Sequence, residues 1–339
     1  MKLLKIRLLL NATLLPMNRN DDTMSSTRSA TKGKRIDELD LLKCLFILLM
    51  IAFHLAYFGD GHPYVKNFVY TFHMPGFLLI SGYLMNVDKP VRAFARTLLW
   101  LLVPYVVMES GYVVMASVLP IRDHISELSP AVFLSKLFLH PLGPYWYLHT
   151  LIICGAIYYA TFRWIRLSTL SRFIIIGMAF YGLSVAGLVS AGCVLYFLLG
   201  AVVRQSRQPF LSIFHGSWLA AMPLLVLFLS PSCFNRESLG GMLIVYLTIS
   251  LALAAFPYVR RSRRLWLFLG RNSLVLYIFS PLFTICCKVF IPFLAFDGTR
   301  LLFLLVSLPV CVGGSLAVAR LLDIVHLSPL LFGRKRSLI

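Results

Sequence analysis

Ten apolar runs follow one another along this chain. They lie at 41–59, 67–86, 94–119, 144–162, 171–187, 189–203, 217–231, 240–257, 273–293 and 300–323. Each approaches the roughly 20 residues that carry a helix across a hydrocarbon core. The polar connections between them hold turn signals, among them Gly59-Asp60-Gly61, Lys89-Pro90, Gln208-Pro209, Ser230-Pro231 and Asp297-Gly298. The pattern predicts an all-α fold, a polytopic integral membrane bundle of about ten transmembrane helices.

Charge tests that count. Every second connection is rich in Lys and Arg: Lys32, Lys34 and Arg35, then Lys89, Arg92 and Arg96, then Arg163, Arg166 and Arg172, then Arg204 and Arg207, then Arg260, Arg261, Arg263 and Arg264, and finally Arg334, Lys335 and Arg336. The intervening connections are sparse, with Lys66, Arg122, Lys136, Arg236 and Arg300. Cytoplasmic connections carry the cations, so both termini are expected in the cytoplasm. In the long outer connection 119–143, residues 130–139 suit an amphipathic interfacial helix. Tyr145, Trp146 and Tyr147 follow where an aromatic belt belongs.

Composition agrees with a membrane setting. Hydrophobic residues make up 59% and charged residues 13% of the chain, against about a quarter charged in soluble domains. The net charge of +19 is explained by the oriented connections rather than by nucleic acid, which is not expected as a partner. The seven cysteines lie mostly in apolar runs without a CxxC pair. They read as small hydrophobes, neither a disulfide framework nor a metal site. Residues 1–34 differ from the rest. Their signal-like start is interrupted by Asn11 and Thr13, and the polar stretch after it suits disorder, so this extension is read as disordered or mis-started, with Met17 or Met24 as alternative starts. Residues 35–336 then form the membrane domain.

Candidate chemistry gathers in the first two runs. Lys43 and His54 are eleven residues apart, about 20° around a helix and roughly 16 Å along it. Asp40 falls within about 40° of the same face. A carboxylate and an ammonium thus sit at the cytosolic edge, where Lys43 suits the phosphates of coenzyme A. An imidazole lies three turns deeper, where it suits proton abstraction from a hydroxyl. Equally bland roles exist: Lys43 snorkelling to headgroups and His54 bonding a neighbouring helix. His73 opens the second run at a similar depth, with Pro75 in the first turns of its helix and Ser81-Gly82 as a small surface for close packing. Glu109 is a further buried acid, expected to pair with a His or a Lys. His149 and Lys288 are weaker candidates. There is no GxSxG, HExxH or Walker loop, and no metal is expected.

The chain resembles the membrane acyltransferase 3 family, which includes O-acetylases of bacterial surface polysaccharides and of Nod factors. The resemblance rests on RIDELDLLKCLFILLMIAFH at 35–54, TFHMPGFLLISGYL at 71–84, PYWYLHTLI at 144–152, LGRNSLVLYIF at 269–279 and PLLFG at 329–333. It implies about ten helices, a cytosolic acyl-CoA (commonly acetyl-CoA) as co-substrate with no bound cofactor, and an acceptor hydroxyl on a cell-surface or lipid-linked glycan. It also implies a multi-pass protein of a bacterial plasma or inner membrane. The family's Arg-x10-His motif falls on Lys43 and His54, with lysine replacing arginine and losing the bidentate fork. His73 matches the second-run histidine, and Arg271 and Asn272 match the ninth run. Many members carry a histidine near Phe279-Ser280, and this chain does not. The expected site is therefore His54, His73 and Glu109 for catalysis, Asp40, Lys43 and Arg271 at the donor, and Tyr145 and Trp146 on the acceptor side. A transporter or flippase of a glycolipid or anionic substrate, or an inactive family member, is the alternative.

Overall fold

α1 (Asp37–His54) is the axle of the fold. Eleven of its 18 residues are buried, among them Leu42, Cys44, Phe46, Ile47 and Ile51. A helix that is apolar on most of its faces is one enclosed by others, and α1 is packed among several. The computed structural model describes residues 35–118 and 124–339; the extension 1–34 and Arg122 lie outside the described residues. Helices are the regular structure of the described residues, which contain no strand.

After α1 the chain runs through the one-turn α2 (Ala56–Gly59), α3 (Pro63–Leu84), α4 (Val91–Val118), the nine-residue α5 (Pro130–Phe138), α6 (Trp146–Trp164), α7 (Thr169–Val185), α8 (Ala191–Gln205), the short α9 (Phe210–Ile213) and α10 (Ala221–Phe228). Then come α11 (Leu239–Ala255), α12 (Arg263–Arg271), α13 (Ser273–Cys286), the short α14 (Ile291–Leu294), α15 (Leu301–Ile324) and α16 (Ser328–Phe332). A helix falls on each of the ten apolar runs. Four stretches are long and apolar enough to cross a membrane: Val91–Val118, Leu239–Val259, Ser273–Leu294 and Leu301–Ile324. Their windows are less than half buried. Met178, Tyr181 and Leu219 are more than two-thirds exposed, an apolar exterior suited to lipid.

Three close approaches set the geometry around α1 and α3. Gly82 of α3 lies against the Phe197 carbonyl of α8, and Gly200 of α8 against the Leu79 carbonyl of α3. These reciprocal glycines let two backbones touch, as small residues do in membranes. Gly270 lets the end of α12 rest on the Asp40 carbonyl of α1. Ser129 caps α5 by accepting from the Val132 N–H at 3.2 Å, as an N-cap serine does.

Two local expectations are corrected. α3 begins at Pro63 rather than near 67, so Pro75 lies in mid-helix instead of the first turns. The ring removes the N–H that would serve the Thr71 carbonyl. The Thr71 hydroxyl donates to the Phe234 carbonyl at 2.9 Å, tying this part of α3 to the connection before α11. The first run is not one continuous helix either. It breaks at Leu55, whose ψ of 90° leaves the helical region.

Candidate active site

The break at Leu55 makes His54 the last residue of α1. Carbonyls freed at a helix end need partners in an apolar interior. The Tyr70 hydroxyl donates to the Phe53 carbonyl at 3.3 Å, and Gly59 lets the chain turn back over the same group. The His54 ring turns inward, with Nδ1 2.8 Å from the Met50 carbonyl. A carbonyl can only accept, so Nδ1 carries the proton and Nε2 keeps its lone pair. His73 repeats the arrangement, its Nδ1 2.7 Å from the Val69 carbonyl. Its Nε2 is buried without a partner. Tyr70 stands beside both rings, with centroids 5.9 Å from His54 and 5.1 Å from His73.

Two cavities meet at this point. The smaller, of 310 Å³, is walled by His54, His73, Trp146, Cys193, Arg236 and Tyr277. The larger, of 550 Å³, is walled by His54, Lys66, Tyr112, Ser280 and Lys288. Met50, His54, Tyr70 and Pro144 belong to both. Arg236 is held by its backbone, since the Tyr196 hydroxyl donates to its carbonyl at 2.8 Å. Its guanidinium donates to Cys193 Sγ at 3.4 Å. A weak sulfur acceptor uses little of a five-donor fork.

At the other end of α1 lies a charged cluster. Lys43 Nζ is 2.7 Å from Asp40, and Arg271 Nε is 3.3 Å from the same carboxylate. Arg271 also reaches Asp37 at 3.3 Å, and Arg263 reaches Asp37 at 2.8 Å. Phe46, Ile47 and Met50, all buried, fill the interval to His54.

The structure therefore gathers the expected residues into two groups, Asp40, Lys43 and Arg271 at one end and His54, His73 and Trp146 at the other. Glu109 and Tyr145 belong to neither, and line neither cavity. Among the described residues Glu109 forms no ion pair with a His or a Lys; one carboxylate oxygen accepts the Leu142 N–H. The α5–α6 connection folds over Glu109 and supplies that donor locally. Tyr145 donates to the Ile278 carbonyl at 2.9 Å. The aromatic belt is corrected with it. Tyr145 and Tyr147 are buried, the latter sharing a hydrogen bond with Ser81 at 2.8 Å. Their hydroxyls find partners inside the bundle, which an interior position requires. His149 Nε2 contacts the Phe138 carbonyl at 2.8 Å, anchoring α5. The pattern alone missed Tyr70, Arg236 and Tyr277. A signal existed for two of them: Tyr70 stands one turn before His73, and Arg236 is a cation in a connection where cations are sparse.

A helical bundle with apolar outer faces, holding an imidazole at the junction of two cavities, defines a membrane protein with an interior chamber. The family model described as an acyltransferase domain, acyltransferase 3, matches residues 36–320, and the chain belongs to that family of membrane acyltransferases. No curated protein and no solved structure matches it.

Proposed function

We propose that this protein is an O-acyltransferase that moves an acyl group, acetyl in the first instance, from cytosolic acyl-CoA to a hydroxyl of a cell-surface or lipid-linked glycan. The observation that carries the reading is His54 itself. It stands in the wall common to two cavities, its proton fixed on Nδ1 toward Met50, so that Nε2 is the basic nitrogen. The acceptor hydroxyl gives its proton to Nε2 as its oxygen attacks the thioester carbon. The tetrahedral intermediate then collapses with loss of the C–S bond, and the imidazolium returns the proton to the departing thiolate. Arg236, in the same chamber, offers N–H donors to the oxyanion, and such donors act most strongly where water is excluded. His73 Nε2 remains for a hydrogen bond to the acyl group or acceptor.

Donor phosphates bind at the Lys43–Arg271 end, where Asp40 holds both cations in place. The thioester reaches His54 by parting the Phe46, Ile47 and Met50 side chains. In this reading the termini are cytoplasmic, as the alternation of basic connections suggests, so this end faces inside and the larger cavity outside.

The test is acyl transfer by membranes containing His54→Ala. General-base removal costs about 10²–10⁴-fold. The expected outcome is a loss of that size with unchanged protein in the membrane. Full activity would remove the mechanism.

A further inference from the structure

The larger cavity carries a charge pattern that the reaction at His54 does not require. Lys66 and Lys288 lie in its wall. An adjoining cavity of 270 Å³ shares Ala56, Asp60, Thr284 and Lys288 with it and adds Arg300. The Asp60 carboxylate is 2.6 Å from Lys66 Nζ. Arg300 has a neutral partner: its guanidinium donates to the Tyr57 carbonyl at 2.7 Å and stacks over that ring at 4.7 Å. Asp297, close in sequence, instead accepts from Thr299 and the Leu302 N–H. The Lys288 ammonium has no ion-pair partner among the described residues. Cations therefore outnumber carboxylates around this recess, where Lys288 and Asp60 are exposed, and an excess of one sign in a cleft draws in an anion of the other. A second feature points the same way. Ser280, 1% exposed, lies in the wall of the larger cavity, and its hydroxyl has no partner. Buried hydroxyls are normally satisfied, so this one is left for a ligand.

We propose that the larger cavity is the acceptor arm and that it selects sugars bearing an acid group, a carboxylate or a phosphate. The acid sits between Lys288 and Arg300 in charge-assisted hydrogen bonds. Ser280 bonds a ring hydroxyl, and another hydroxyl reaches His54. The assignment rests on the acyltransferase reading of His54.

The experiment uses the full-length protein in detergent. Binding of methyl glucuronide, glucose 6-phosphate and methyl glucoside is measured calorimetrically, alongside acetyl transfer from acetyl-CoA. At least one acidic sugar is expected to bind about tenfold more tightly than the neutral glucoside. Lys288→Gln abolishes that preference and Lys288→Arg keeps it, which separates charge from folding. Equal binding of all three sugars overturns the proposal, as does an unchanged preference in Lys288→Gln. Coenzyme A is the fourth probe: if it displaces the glucuronide, and does so only with Lys288 present, the arm belongs to the donor and the acceptor assignment falls. His54→Ala separates the two readings, because it is expected to lose transfer and keep the preference. Transfer without acid preference overturns the acceptor assignment alone; acid preference without transfer overturns the reaction alone.

Discussion

Arg236 shows best what a single residue contributes here. Its backbone is pinned by Tyr196, and its side chain meets a thiol that cannot neutralise it. Such a guanidinium is costly to keep in a largely apolar chamber. The cost is offset if charge develops beside it during turnover. Arg236→Gln is therefore expected to lower kcat by about 10²–10³-fold, the usual effect of losing an oxyanion donor. The side chain makes no carboxylate pair among the described residues, so thermal stability in detergent should change little. A stability loss matching the activity loss would make the residue structural. Residue identity was partly legible from the chain. The helical arithmetic that sets Asp40 and Lys43 on one face, with His54 three turns beyond Lys43, needs only local geometry, and in the structure Asp40 and Lys43 are in contact. Arg236 and Ser280 were not placed, because no local pattern tells which distant connection or helix lines a cavity. Glu109 misled for a related reason. A buried acid signals a partner, but here the partner is a backbone N–H.

The elements were more legible than their irregularities. The apolar period marks helices wherever the runs are long, and each run carries one. The break after His54 left no trace, since Leu55 has no helix-breaking chemistry; tertiary support from Tyr70 and Gly59 decides it. Pro75 misplaced the start of α3 because proline favours a first turn, yet the bundle tolerates it deeper. The contact between α3 and α8 gives the test at this scale. A methyl at Gly82 would strike the Phe197 carbonyl, backbone that cannot move aside. Overpacking costs about 1–3 kcal/mol, while alanine gains about 1 kcal/mol in helix propensity. The clash wins, and Gly82→Ala should melt several degrees below the parent. Gly313 of α15 has nothing near its missing Cβ, so Gly313→Ala should melt at or above the parent. Equal shifts for the pair would mean that the α3–α8 contact does not set stability.

Taken as a whole, residues 37–339 form one compact unit, and its organisation explains the division of labour along α1. One end of the axle is a salt-bridged clamp, the other an imidazole at a junction, and the interval is apolar packing. Membrane class and family were readable from hydropathy and from the paired motifs at 35–54 and 71–84, because these are short-range features. The chamber was not readable, since its wall comes from six or more separated segments.

That wall has a kinetic corollary. A base shared by two voids can act while each void holds its own substrate, with no need to park the acyl group on a side chain between visits. Initial velocities measured against both substrates should then give reciprocal plots whose lines cross. Parallel lines would mean that the chamber is visited by one guest at a time.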